Sequence, residues 1–333
     1  MTEPLVSRRS LVKGGVAAAA AGATLRVRPA RAATKVRVLT NWFAEAEHGG
    51  LYQALAEGLY DKAGLDVTIA QGGPQLNGMQ LLAGGEADVI MSYDIQILTA
   101  AARGIPVKAI FTSFQFDLVG ILARPEVPSL DALKGHRIFM ANSGYSTYWP
   151  WLKRRFGYTD DMPGPKGINL QAFISDPTSA VAGYITSEPY VAQQNSIPIR
   201  FFLFADYGYP SYANTMATTT AFLRANPDAA AGFTRASVEG WRNYLRNPAA
   251  GNALIKAQNP RMDDAQLDYG LAKIRDVKAV DGGDAATMGI GIMTRERWQK
   301  TRDFLVDVDL LKADLDWTQV FTTDYVRDLK ITM

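Results

Sequence analysis

Residues 36–69, VRVLTNWFAEAEHGGLYQALAEGLYDKAGLDVTI, constrain the fold more than any other stretch of the chain. Val36, Val38 and Leu39 form a short apolar run with the character of a strand. It empties into a loop that carries Asn41, Trp42, Phe43 and His48. After Gly49-Gly50, the run Leu51-Tyr52-Gln53-Ala54-Leu55-Ala56-Glu57 has the pattern of an amphipathic helix, which Gly58 closes. Gly64 turns the chain into a second strand, residues 65–69. A strand that ends in an aromatic loop ahead of a helix is where open α/β sheets place ligands.

The alternation continues along the chain and predicts a layered α/β fold. Strands are expected at 36–40, 65–69, 87–91, 107–112, 118–123, 137–140, 170–173, 181–185 and 200–204. Helices are expected at 49–57, 75–83, 94–103, 146–156, 189–194, 220–225, 228–246, 249–258, 263–275 and 294–310. Asp263 is placed to cap one helix, and Pro227 sits near the first turn of another. Two segments read as crossings between lobes: Arg124-Pro125-Glu126-Val127-Pro128, and Asp206-Tyr207-Gly208-Tyr209-Pro210-Ser211-Tyr212. They divide the chain into a first lobe of residues 33–124 and 213–333 and an inserted second lobe of residues 125–212. A two-segment hinge of this kind puts the ligand cleft between the lobes.

The N-terminal residues 1–32 read as an export signal. Ser7-Arg8-Arg9-Ser10-Leu11-Val12-Lys13 is a twin-arginine pattern, Gly14 to Leu25 is an Ala/Gly-rich apolar stretch, and Ala30-Arg31-Ala32 offers small residues for cleavage before Ala33. Export through the twin-arginine translocase to the periplasm is therefore expected. Removing this segment leaves 29 Lys/Arg against 32 Asp/Glu, a net charge of −3, so the basic balance of the whole chain belongs to the signal. No long charged run suggests nucleic acid. The chain has no cysteine, which excludes disulfides, thiolate metal sites, iron–sulfur clusters and a cysteine nucleophile. It is expected to act as a monomer.

No phosphate loop, GxSxG or HExxH motif is present. Two separated histidines, His48 and His136, argue against a transition-metal site, and no cofactor is expected. Aromatic residues say more. Several lie at strand ends or in loops, where a flat ligand can stack between ring faces. Asn142-Ser143-Gly144-Tyr145-Ser146-Thr147 follows an expected strand and opens a helix, a place to hold a polar ligand end or simply a helix cap. Glu188 ends a strand and begins a helix, so it either faces the cleft or serves the helix dipole. His48 is either a ligand contact or a loop-stabilising hydrogen-bonding group.

These segments together resemble the thiamine-pyrimidine family of periplasmic substrate-binding proteins, which also contains the fungal pyrimidine synthase. The likeness is carried by Asn41-Trp42, His48 and Leu51-Tyr52, by Gly58-Leu59-Tyr60 and Gly64-Leu65-Asp66-Val67, and by Leu82 with Gly85-Glu86-Ala87-Asp88. It continues through Arg103-Gly104-Ile105-Pro106-Val107, Leu130 with Leu133-Lys134-Gly135, the 206–212 segment, and Asp316-Trp317 with Phe321-Thr322. The resemblance implies a type II periplasmic-binding-protein-like fold, with two α/β lobes that close on a small ligand and deliver it to an ABC importer permease. It implies no enzymatic activity and a nitrogen heterocycle, pyrimidine-like or thiamine-precursor-like, as ligand. Carried over by position, it implicates Asn41, Trp42, Tyr93, Tyr184 and Glu188, with Tyr145 and His48 as further candidates. Flavin and sulfonate are the alternative ligands. A synthase-like enzyme is the other alternative, but Ser92 and Gln96 stand where that enzyme's lysine and histidine belong, and its cysteine cluster has no counterpart near Ser211–Thr218. The cleft-facing segments show aromatics and one Glu without a cluster of Arg or Lys, which favours an uncharged or cationic aromatic ligand.

Overall fold

A computed structural model describes residues 32–167 and 169–333. The twin-arginine pattern, with Arg8 and Arg9, lies outside the described residues. Ten strands are described in chain order: β1 Thr34–Leu39, β2 Leu65–Ala70, β3 Val89–Ser92, β4 Val107–Phe114, β5 Val119–Ala123, β6 Ile138–Met140, β7 Pro163–Pro165, β8 Ala180–Tyr184, β9 Arg200–Leu203 and β10 Ala213–Thr219. They form two five-stranded sheets, ordered β2-β1-β3-β10-β4 and β7-β6-β8-β5-β9. In the first, β1 pairs in parallel with β2 and β3, while β10 runs antiparallel between β3 and β4. The second repeats the plan: β6 is parallel to β7 and β8, and β5 runs antiparallel between β8 and β9. Each sheet thus takes in, as an antiparallel strand, the one that follows a crossing from the other sheet.

The first crossing falls earlier than expected. β5 belongs to the second sheet, so the chain leaves the first sheet between Phe114 and Val119, not at 124/125. The 124–128 segment is fastened to elements of the second sheet's side instead. Arg124 donates to the Phe173 carbonyl at 3.0 Å, and Arg200 donates to the Val127 and Pro128 carbonyls at 3.2 Å each. The chain returns between Leu203 and Ala213. The two crossings touch: the Asp117 N–H donates to the Ser211 carbonyl at 3.1 Å. Ser211 and Thr301 hydroxyls and the Ile95 and Tyr212 N–H groups all donate to the buried Asp94 carboxylate, at 2.6–3.1 Å. That carboxylate joins a helix start, the return crossing and a C-terminal helix.

Three elements depart from the sequence expectation. Residues 170–173 are not a strand: Leu170 precedes a short helix, Gln171–Ser175. The Asn169 side chain accepts from Gln171 N–H at 3.1 Å and starts the turn, and Leu170 and Phe173, three apart, bury together against Leu122 and Val181. β7 begins and ends with proline, which an edge strand tolerates because part of its backbone needs no partner. β10 was hidden by its composition, Ala-Asn-Thr-Met-Ala-Thr-Thr. Asn214, Thr215 and Thr218 in it are buried yet satisfied: Asn214 donates to the Glu47 carbonyl at 2.8 Å, Thr215 meets the Thr112 hydroxyl at 3.0 Å, and Thr218 donates to the Asp88 carbonyl at 2.6 Å.

The helix Gly49–Ala56 follows the Trp42 loop and fixes its exit. It packs on the long helix Pro227–Arg246 at a distance only glycine permits. A Cβ on Gly50 would lie 2.2 Å from the Trp241 ring, and one on Gly240 would lie 2.2 Å from the Gly50 carbonyl oxygen. The second obstacle is backbone, so it cannot rotate away. Gly240→Ala is expected to destabilise the protein by about 1–3 kcal/mol through overpacking, measured as a lower urea midpoint with an unchanged slope.

Candidate ligand-binding site

A cavity of about 700 Å³ opens between the C-terminal ends of strands from both sheets. Asn41, Trp42, His48, Tyr93, Tyr145, Tyr184 and Glu188, all seven residues singled out from sequence, line it. Among the described residues no group of three His, Asp or Glu side chains is placed to hold a metal ion, and no helix is long and apolar enough to cross a membrane.

β1 ends at Leu39, and its continuation pins the Trp42 backbone. The Thr40 hydroxyl donates to the Trp42 carbonyl at 2.7 Å, and the Gly72 N–H donates to the same oxygen at 3.0 Å. Gly72 must be glycine, since a Cβ there would sit 2.4 Å from the Thr40 carbonyl oxygen. The Trp42 ring meets Phe43 edge-on at 5.6 Å, and the Arg261 guanidinium lies 4.3 Å from the Phe43 ring.

His48 is buried, and burial lowers its pKa to about 4, so it is neutral at pH 7. Its Nδ1 accepts from the Glu45 backbone N–H at 3.2 Å. That assigns the proton to Nε2, which donates to Asn41 Oδ1 at 3.1 Å. The Asn41 amide then donates to the Tyr93 hydroxyl at 3.3 Å and to Asn214 Oδ1 at 3.2 Å. Asn214 donates onward to the Glu47 carbonyl at 2.8 Å. Asn41 and His48 are therefore largely committed to each other and to the first sheet. They hold Tyr93 in place, and Asn41 keeps one acceptor lone pair unassigned.

Tyr93 reaches the second sheet. Its hydroxyl lies 2.9 Å from that of Tyr184, and Asp117 in the first crossing lines the same cavity. A second bridge joins Thr186, whose hydroxyl donates to the Glu47 carboxylate. Glu188 opens the helix Glu188–Gln194, where an acid is favourable. One carboxylate oxygen accepts from the Tyr184 N–H at 2.6 Å, and the other is paired with the Lys166 ammonium.

Several lining residues escaped sequence reasoning. Glu45 and Glu47 sit in the same loop as Trp42, and their position between Trp42 and His48 was the available signal. Asp117 lies in a crossing that was placed elsewhere, and Asn214 in a strand that was missed. Lys166 carried no local signal at all. The expectation of aromatics and one Glu is thus revised: four carboxyls line the cavity, with the little-exposed Lys166 side chain among them and Arg103 exposed. Desolvation pushes the Glu45 carboxyl well up, and raises both Glu47 and Asp117 to about 7. Tyr145 is 47% exposed, at the mouth with Leu76 and Leu310. The segment Asn142–Ser146 is a single tight turn, and Asn142 is hydrogen-bonded to Gln75. The Ser92 hydroxyl donates to Gln96 Oε1 at 3.0 Å. Neither side chain can act as the lysine or histidine of a synthase.

Comparison with known proteins places this geometry in context. The formylaminopyrimidine-binding protein of Halalkalibacterium halodurans is 26% identical over 306 residues, covering 86% of this chain and 89% of its own. The riboflavin-binding protein RibY of Chloroflexus aurantiacus is 24% identical, over 69% of this chain and 68% of its own. A 4-amino-5-hydroxymethyl-2-methylpyrimidine phosphate synthase of Aspergillus parasiticus is 25% identical, over 65% and 68%. A solved Candida albicans protein, described as having the generic periplasmic binding protein structural fold, superposes with a TM-score of 0.61 at 17% identity, over 87% of this chain and 96% of its own. The fold is that of periplasmic binding proteins, as the sequence resemblance implied. The family described as NMT1/THI5 like matches residues 45–251, well over half of the chain. The chain belongs to the NMT1/THI5-like family.

Proposed function

We propose that this protein is the periplasmic substrate-binding component of an ABC importer, capturing a small nitrogen heterocycle, pyrimidine-like first, between its two lobes. The observation that carries the reading is the juxtaposition of the Trp42 ring with the Glu188 carboxylate in one cavity walled by both sheets. The ring offers a stacking face, and the carboxylate accepts hydrogen bonds from an amino group or ring N–H. Tyr93 and Tyr184 supply polar edges from opposite sheets. Capture without bond breaking is the reading: Ser92 and Gln96 stand where a synthase's lysine and histidine belong, the cavity's own amine, Lys166, is paired with Glu188, and its imidazole, His48, is bonded to Glu45 and Asn41. The likeness to a formylaminopyrimidine-binding protein over most of both chains supports the ligand class.

A flavin is the second reading, favoured by one observation: about 700 Å³ is roomy for a single ring. A sulfonate fits less well, because the cavity offers it only Lys166, already paired with Glu188, and the exposed Arg103. A thermal-shift panel on residues 33–333 separates these ligands. A ligand at 100 times its Kd adds about 2.7 kcal/mol of stability. Aminopyrimidines are expected to raise the melting temperature and alkanesulfonates to leave it unchanged. A shift with sulfonate alone would reject the heterocycle reading.

A further inference from the structure

We infer that Lys166 is a tethered cation that fills the Trp42–Glu188 subsite, and that it sets specificity by competing with a ligand's amino or protonated ring nitrogen for Glu188. This rests on the ligand class proposed above and adds the group that ligand must displace.

The Lys166–Glu188 pair is unlike the others in the chain. Its side chains are 8% and 14% exposed, whereas every other ion pair among the described residues leaves both partners at least 21% exposed. The ammonium also stands 5.9 Å from the centroid of the Trp42 ring, within reach of its negative face. A cation held between an indole and a carboxylate marks the chemistry the subsite accepts. The receiving side is built, not incidental. The Tyr184 N–H fixes one Glu188 oxygen at 2.6 Å, and Gly183 makes the room, since a Cβ there would lie 2.4 Å from the Glu188 carboxyl carbon.

The lysine is the part free to leave. Its backbone N–H is held to the Met140 carbonyl at 3.0 Å, just beyond the edge strand β7, but its side chain is a flexible stem. The adjoining Gly167 is exposed, with open space around it. The ammonium regains hydration outside the cavity when a ligand N–H takes its place on Glu188. An anion has no comparable exchange, because it would have to approach the Glu188 carboxylate to reach Lys166.

The test uses residues 33–333 with Lys166→Ala and the stem-preserving Lys166→Met. n-Propylammonium is expected to raise the melting temperature of Lys166→Ala, while leaving wild type unshifted. 1-Propanol is expected to do nothing to any of them. In calorimetry, 4-amino-5-hydroxymethyl-2-methylpyrimidine is expected to bind Lys166→Met about 10-fold more tightly than wild type, the gain if the lysine blocks the subsite about nine-tenths of the time. Equal shifts with propanol, no shift with propylammonium, or weaker pyrimidine binding by Lys166→Met would overturn the inference. Weaker binding would make Lys166 a ligand contact instead. Propylammonium rescue with no pyrimidine binding to any variant would uphold the cation subsite and reject the pyrimidine reading.

Discussion

Trp42→Ala is expected to weaken capture of an aromatic heterocycle by roughly 30- to 150-fold, or about 2–3 kcal/mol. An indole covering about 50 Å² of a ligand ring contributes roughly 1.3 kcal/mol by area alone. Offset stacking adds about 0.5–1.5 kcal/mol. The fold should be little affected. Trp42 is half-buried, and Phe43 is the one aromatic ring it meets among the described residues. Its backbone, clamped by Thr40 and Gly72, is unchanged by the substitution. Calorimetry on the variant, with its melting temperature as control, checks both halves. An unchanged Kd would remove Trp42 from the ligand's surroundings.

Asp117→Asn is expected to stabilise the protein at pH 8 and to do little at pH 4. Burial raises the Asp117 carboxyl to about 7, whereas in the unfolded chain it titrates near 3.9. Between those values the folded state holds a proton that the unfolded state has lost. This group's contribution is therefore present at low pH and declines as pH rises through about 4 to 7. Glu47, also raised to about 7, has the same sign. His48 opposes them: with its pKa lowered to about 4, the neutral folded form loses stability as pH falls from about 6.5. Asparagine keeps an oxygen for the Val119 N–H, which lies 3.2 Å from the aspartate. It cannot ionise, so the gain at pH 8 should be on the order of 2–4 kcal/mol. Urea unfolding at pH 4 and pH 8 reads the difference. The same change at both pH values would show that Asp117 does not titrate between them.

The first sheet and the near side of the cavity were legible because their signals are local. β1, the Trp42 loop and the helix Gly49–Ala56 follow one another within a single stretch, and periodicity with glycine punctuation is enough to read them. Asp263 behaves as its position suggested, accepting from Gln266 N–H at 2.7 Å to cap a helix. What stayed hidden depends on tertiary pairing. β10 is a central strand made of threonine and alanine, and only its partners across the sheet satisfy it. The first crossing was misplaced because β5 reads equally well as the end of either sheet. Its antiparallel insertion between β8 and β9 decides the matter. Lys166 was invisible for the same reason. A lysine after two prolines reads as surface, and Glu188, 22 residues on, brings it inside.

Two roles were refined as well. Asn41 and His48 line the cavity, yet their polar atoms mostly bond each other, Tyr93 and Asn214. Their contribution is to hold Tyr93 against Tyr184 where the sheets meet. A neutral His48 suits that task, since its single proton fixes the orientation of the Asn41 amide.

The central claim is reversible capture of one heterocycle per chain. Its most direct measurement is calorimetric titration of 4-amino-5-hydroxymethyl-2-methylpyrimidine into residues 33–333, with mass spectrometry of the ligand recovered afterwards. The expected result is saturable one-to-one binding and a ligand recovered unchanged. Absence of binding, or recovery of a converted product, would contradict it.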